Sequence, residues 1–445
     1  MDHNMTEGNP MRMILRFTIP LFLGNVLQQL YNMADSMIVG RFVGANALAG
    51  VGSTGTIMFL VNGIAIGLTA GFAVLTSQRY GAGSRDGTKR SVANGIILSA
   101  ILAAILMVIS LAVMHPILHM MNTPESIYRE AYTYITIICG GLYATTYYNL
   151  FSAYLRAIGN SRIPLYFLIF SAALNVVLDL TFILVLGWGV AGAARATILS
   201  QGISALLCLI YIMKKVDVLR PGREHWRLHP EDSRQQLAIG IPMALQYGIT
   251  ASGTMIMQSA INIYEAAIAA FTAASRIQSV MMQGFISLGL TMASYAGQNY
   301  GAGRPDRIRQ GVRDAMKLVV AYAIIGGAGV ALALPRLMHL FFSSSTDIGT
   351  VLPWARIYLY ECITCYIPLG AIFVFRNTLQ GCGRGMAAMT MGIVELAARA
   401  GTAMLSMALG SYMLAVGCDP AAWLAGGIYG AVLYVINMKK IESSA

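Results

Sequence analysis

Charge is what this sequence has least of. Only 11% of its 445 residues are Asp, Glu, Lys or Arg, against 57% hydrophobic, where a soluble chain carries about 25% charged. That scarcity excludes an ordinary soluble domain and identifies an integral membrane protein. Acids are fewer than bases, 19 against 30. Several chemical signatures are also missing. No HExxH or GxSxG lies in the apolar runs, so a membrane-embedded enzyme is not expected. No GxxxxGK[ST] loop is present, which removes the phosphate-loop reading of the Tyr-Gly-Ala-Gly turns. The CxxC at Cys362 and Cys365 has no second CxxC beside it, so a zinc or redox site is not expected. The six cysteines lie in or beside apolar runs and read as small buried hydrophobes. His115 and His119 share a helix face, but Pro116 between them and their place at a helix end favour a plain terminus over a metal site. No cofactor and no tight metal site is expected.

What is present is a series of long apolar runs, near 13–39, 54–76, 92–114, 130–153, 163–186, 190–213, 237–262, 271–295, 316–341, 351–376, 386–410 and 420–438. Each approaches or exceeds the roughly 20 residues that span a bilayer. Basic residues fall in alternate connections: 23 on one side, from Arg12 through Lys440 and including Arg376, against Arg41, Arg129, Arg336 and Arg356 on the other. The positive-inside rule places the rich side, and both termini, in the cytoplasm of a plasma-membrane protein. The excess of +11 is then a topology signal and not a nucleic-acid groove.

The chain also repeats itself. Ser77-Gln-Arg-Tyr-Gly-Ala-Gly-Ser-Arg-Asp86 recurs as Gly297-Gln-Asn-Tyr-Gly-Ala-Gly-Arg-Pro-Asp306. Ile19-Pro20 returns as Ile241-Pro242, and Leu155-Arg-Ala-Ile-Gly159 as Leu379-Gln-Gly-Cys-Gly383. Six spans per repeat give both halves the same orientation. The expected fold is all-α, twelve transmembrane helices in two six-helix bundles related by a pseudo-two-fold axis along the membrane normal. The expected boundaries are 1–213 for the N-terminal bundle, 214–236 for a cytoplasmic linker and 237–445 for the C-terminal bundle.

Polar groups inside the spans are the candidate functional residues, because a carboxylate near the centre of a spanning helix costs roughly 2.5–3.5 kcal/mol on insertion scales. Asp35 sits in the first span, with Tyr31 four residues earlier on the same face. Asn175 and Asp179 share a face of the fifth span, and Thr197 lies in the sixth. Counting at about 1.5 Å per residue puts Asp35, Asp179 and Thr197 at like depth, roughly 8–12 Å below the outer surface. Such an oxygen-rich pocket suits a proton or a hard cation; a hydrogen-bonded structural network is the alternative. Pro20 removes a helix hydrogen bond and can bend the first span. Glu395 and Arg399, four apart, read as an intramembrane ion pair, structural before substrate-binding. Glu361 stays ambiguous between structure and substrate contact. The abundant methionines, among them Met255, Met257, Met281, Met282 and Met292, suit an adaptable cavity or plain packing equally.

These landmarks together resemble the multidrug and toxic compound extrusion (MATE) family: the twelve spans, the six-plus-six repeat, Leu30-Tyr-Asn-Met-Ala-Asp35, Leu155-Arg-Ala-Ile-Gly-Asn160, Leu174-Asn-Val-Val-Leu-Asp179, and Glu395 with Arg399. The resemblance implies a V-shaped pair of bundles around a central cleft, working by alternating access. It implies an antiporter that expels small organic, often cationic compounds in exchange for H⁺ or Na⁺, functioning in the bilayer as a monomer. By that likeness Asp35, Tyr31, Asn175, Asp179 and Thr197 form the cation-coupling site, open to transient Na⁺ at Asp35, Asn175, Asp179 and Thr197. Asn149 resembles a further polar member and Pro20 the bending proline. Acids found on helices 7 and 10 of NorM-type members correspond here to Thr250 and Leu369, which favours the DinF-like and archaeal branches. A lipid-linked oligosaccharide flippase of the same superfamily is the alternative, lowered by the few basic residues inside the spans.

Overall fold

The computed structural model describes residues 4–339, 341 and 348–443. The first half runs α1 (Pro10–Phe42), α2 (Ala45–Ser53), α3 (Gly55–Gly81), α4 (Arg85–Met120), α5 (Glu125–Gly140), α6 (Leu142–Ala157), α7 (Arg162–Leu180) and α8 (Gly189–Lys215). The second runs α9 (Pro230–Ile261), α10 (Glu265–Gly301), α11 (Pro305–Met338), α12 (Ile348–Thr364), α13 (Tyr366–Gly381), α14 (Gly385–Leu409), α15 (Tyr412–Val416) and α16 (Cys418–Glu442). Among the described residues no strand occurs. Among the described residues eight helices are long and apolar enough to cross a membrane, and α12 with α13, bent by 49°, make a ninth. The α5–α6 pair, broken only at Gly141, and the longer but more polar α9 and α10 bring the count to twelve. In a bilayer the helix is the natural answer to such runs, since each backbone polar group is satisfied within its own segment.

The repeat seen in sequence is a repeat of turns. Gly83 and Gly303 take left-handed φ values of 71° and 65°, and Gly159 and Gly383 take 88° and 78°. In each case the residue after the glycine donates back five positions, as from Ser84 N–H to the Arg79 carbonyl at 3.1 Å and from Arg304 to Asn299 at 2.9 Å. Only glycine enters this helix-ending conformation without steric cost, which is why both copies keep it.

By packing, the chain forms two units: Ile19–Gly248 with the residues up to 5, and Thr6–Thr18 with Ile249–Ala445. These limits cut inside two helices. The first turns of α1 belong with the second unit, and the first half of α9 with the first. Helix α1 changes unit between Thr18 and Ile19, immediately before Pro20, where the ring leaves the Arg16 carbonyl without its helical donor.

Each displaced helix start is held where its unit's repeated turn lies. In the first unit Asp232, fully buried, accepts from Arg90 at 2.6 Å and from Arg79 at 3.5 Å. Gln236 accepts from Asn94 at 2.8 Å and donates to the Ser91 carbonyl, also at 2.8 Å. In the second unit Arg304 donates to the Thr6 carbonyl at 2.8 Å and Arg307 to that of Gly8 at 3.1 Å. The connection between halves is tacked down as well, by Lys89–Asp217 at 3.6 Å and His225–Asp86 at 2.9 Å.

Deeper in the first unit, α3 meets α9 along Gly63, Gly67 and Gly71. A Cβ at Gly71 would lie 2.3 Å from Gly240 Cα, one at Gly67 2.6 Å from the Ala244 nitrogen, and one at Gly63 2.6 Å from the Tyr247 ring. Small residues four apart let two helices approach backbone to backbone, the usual substitute for hydrophobic driving force in lipid.

Candidate functional site

The first unit brings Asp35 of α1 and Asp179 of α7 side by side. Both are buried, Asp179 completely and Asp35 to 8% exposure. The two carboxyl groups lie in hydrogen-bonding reach of each other, and such a bond exists only when one of them carries a proton to donate. With both ionised, Asp35 Oδ1 and both Asp179 oxygens have no donor at all. Asn175, one turn before Asp179 and fully buried, adds a fourth such oxygen, its Oδ1 also lacking a donor. Its amide nitrogen donates to Thr197 Oγ1 of α8 at 3.4 Å. Tyr31, half-buried one turn before Asp35, reaches Thr197 and Ser200 with its hydroxyl and faces both acids. The local cause is helical spacing: Tyr31 and Asp35, and Asn175 and Asp179, project four apart from one face of each helix.

Asn149 of α6 is bonded within its own helix. Its amide donates to the Thr145 carbonyl of its own helix at 2.9 Å, while Thr145 Oγ1 donates to Gln201 at 2.5 Å. Tyr134 of α5, 3% exposed, faces Asp35, Asp179 and Tyr31. Sequence reading missed it, as it missed Ser200. Nothing marks Tyr134 among 22 tyrosines; the only available signal is its position in the same outer half of a span as the acids.

In the second unit Glu395 and Arg399 are not paired with each other, a correction to the expectation from their spacing. Glu395 accepts from Arg376 at 3.0 Å and Arg399 donates to Asp419 at 2.8 Å. Helix α13 extends to Gly381, so Arg376 is a buried residue inside it, 6% exposed, and not part of a connection between helices. Spacing of four brings two side chains near; neighbouring helices here offer each a better-aligned partner. Glu361 of α12 has one buried oxygen without a donor. His115 and His119 stack on each other at 4.9 Å at the end of α4, and Tyr128 bonds His115 at 3.0 Å, which is a helix terminus closed by aromatic contacts. All six cysteines are free thiols and buried.

A donor-poor group of oxygens in lipid-buried protein can do one thing cheaply: accept a cation, either a proton shared by the acids or a small metal ion. Among the described residues no group of three His, Cys, Asp or Glu side chains that could hold a metal ion occurs.

Comparison with known proteins adds the following. The family model MatE matches residues 20–181 and 242–410, one match per repeat. A probable multidrug resistance protein, YpnP of Bacillus subtilis (strain 168), is 33% identical over 309 residues, 69% of this chain and 68% of that one. An FAD transporter of Shewanella oneidensis is 26% identical over 92% of this chain and 90% of its own. Among solved structures, the outward-facing conformation of a multidrug resistance MATE family transporter of the MOP superfamily superposes with a TM-score of 0.91 over 99% of this chain and 98% of the other. At 22% identity that is a likeness of fold.

Proposed function

The chain belongs to the MatE family of multidrug and toxic compound extrusion transporters, and from that premise we propose that it exports small organic compounds by antiport against a cation taken up at Asp35 and Asp179. One observation carries the reading: four buried oxygens from two helices, gathered in one place with no donor to satisfy them. Such a group is stable with a cation and unstable without one, because leaving a buried acceptor unsatisfied costs about 1–3 kcal/mol, and more for a charged group.

Exchange follows from linkage. The cation and the exported compound drive each other only if each weakens the other's binding through two states of the protein. Cation uptake from the outside neutralises the acids and favours the state that releases cargo outward. Cation loss to the cytoplasm restores the repulsion and favours the state that binds cargo again. Tyr31, Thr197 and Asn175 hold the acids in register; Pro20 supplies the weak point at which α1 deforms. Na⁺ would use the oxygens of Asp35, Asn175, Asp179 and Thr197. Arg376 and Arg399, buried inside α13 and α14, each carry a carboxylate partner, which argues against the strongly cationic interior that a flippase for anionic lipid-linked sugars needs.

The test is substrate efflux from proteoliposomes under pH and sodium gradients imposed separately. Asp35→Asn is expected to abolish gradient-driven export under whichever gradient drives the wild type, with the purified protein still monodisperse. Undiminished export by that variant overturns the proposal.

A further inference from the structure

The acid pair is buried, yet the same unit holds an open cavity a short distance beyond it. That cavity, of about 670 Å³, is lined among others by Asn46, Arg129, Glu130, Thr133, Trp188 and Val190. Its walls are the residues just past the end of α1, the start of α2 and the first turns of α5 and α8, on the side that basic-residue asymmetry places outside. One apolar cluster runs from residues a turn beyond the acids to the cavity wall. Val39, Tyr134, Ile183, Val190, Ala193 and Ala194 form a single buried cluster, and Val190 lines the cavity as well.

The order along each helix is the same. Val39 follows Asp35 by four residues and Ile183 follows Asp179 by four, so each apolar side chain lies one turn, about 6 Å, outward of an acid. Val43, at the cavity wall, lies one turn beyond Val39. Tyr134 faces the acids, and the preceding residue, Thr133, lines the cavity. Ile183 sits in a π turn, Thr181–Val185, closed by a bond from Leu186 N–H to the Thr181 carbonyl at 3.1 Å. Such turns hold one residue more than an α turn and recur at functional sites.

We propose that this cavity is the aqueous antechamber from which the acids draw their cation, and that the layer of Val39, Tyr134, Ile183 and Val190 is the gate the cation crosses. A hydrated small cation is the occupant the walls fit. Arg129 and Glu130 are adjacent, so the wall carries no net charge against a cation. Its one aromatic ring, Trp188, is already covered by the Arg195 guanidinium at 4.8 Å, which leaves no open ring for an organic cation. The inference rests on the reading of Asp35 and Asp179 as the coupling site.

The test is access and not transport, so that the two can fail separately. Asp35→Cys turns the acid position into a reporter, and a small cationic methanethiosulfonate is applied to the outer face of oriented vesicles. The six buried native thiols are measured as background on protein without the reporter. Labelling is expected, slowed about tenfold when Asn46→Trp fills the cavity and quickened when Val190→Thr, nearly isosteric, puts a hydroxyl into the gate. Ala191→Trp, filling from another wall, must slow it too, which keeps the result from resting on the folding of one variant. No labelling from outside, or a rate that ignores the fillers and Val190→Thr, overturns the antechamber. If Asp35→Asn abolishes gradient-driven export while these rates stay flat, the coupling site stands and this route to it falls.

Discussion

Asp179→Asn should make the protein more stable while removing its coupling. In the wild type both Asp179 oxygens and Asp35 Oδ1 lack a donor, and the two carboxyls face each other. An asparagine at 179 keeps the shape, removes one of two like charges and offers an N–H to the remaining carboxylate. A hydrogen bond to a charged group contributes about 1.5–3 kcal/mol. With an unfolding entropy of about 2.1 cal/mol/K per residue, a chain of this length shifts its midpoint by about 1 °C per kcal/mol, so the rise is about 2–3 °C. Asp35→Asn acts the same way toward Asp179. The double variant gains only about 1 kcal/mol over wild type, the figure for a neutral bond. The assay is thermal unfolding of purified protein at alkaline pH in sodium-free buffer, so that neither proton nor sodium occupies the oxygens. A midpoint for Asp179→Asn at or below wild type would refute the reasoning, since it would mean that the oxygens are already satisfied.

Three further outcomes follow from the packing. Gly71→Ala brings a Cβ against the Gly240 backbone, which cannot yield without separating α3 from α9; a loss of about 1–3 kcal/mol is expected, read as a lower unfolding midpoint, whereas alanine at Gly52, with nothing within 4 Å, should not destabilise. A double-mutant cycle should give Arg376 and Glu395 a coupling of about 1.5–3 kcal/mol, at least twice that of Glu395 with Arg399. Asp232→Ala strips the partner from Arg90 and Arg79, both about a third exposed; solvent screening holds the cost to about 1–2 kcal/mol, and limited proteolysis between residues 216 and 229 should quicken.

The spans, the duplication and the polar residues of α1, α7 and α8 were legible because each rests on a local regularity: a run of apolar residues, a repeated turn, a spacing of four. Tyr31, Asp35, Asn175, Asp179 and Thr197 lie together in the first unit because spacing fixed their faces and depth fixed their level. What depends on which helix lies beside which was not legible. Tyr134 comes from a neighbour that no spacing predicts. Glu395 and Arg399 found other partners because Arg376 and Asp419 are presented from α13 and α16. Asp232, Gln236 and His225 fall in the expected cytoplasmic linker, yet all three are buried, since the turn at Gly83 and the first turns of α4 supply arginine, asparagine and aspartate to meet them. The π turn after Asp179 has no signature in Thr-Phe-Ile-Leu-Val.

The exchange of helix starts has a consequence for how the protein is made. The glycine face of α3 and the arginines beside its turn are synthesised well before α9, their docking partner, so the first unit stays incomplete until residue 248 has emerged. The second unit instead takes in Thr6–Thr18, a segment produced before any of its own helices. A cut at residue 213, where sequence alone divides the two repeats, therefore yields neither unit whole; a viable pair of fragments must carry the stretch through Gly248 on the first piece, or supply it in trans.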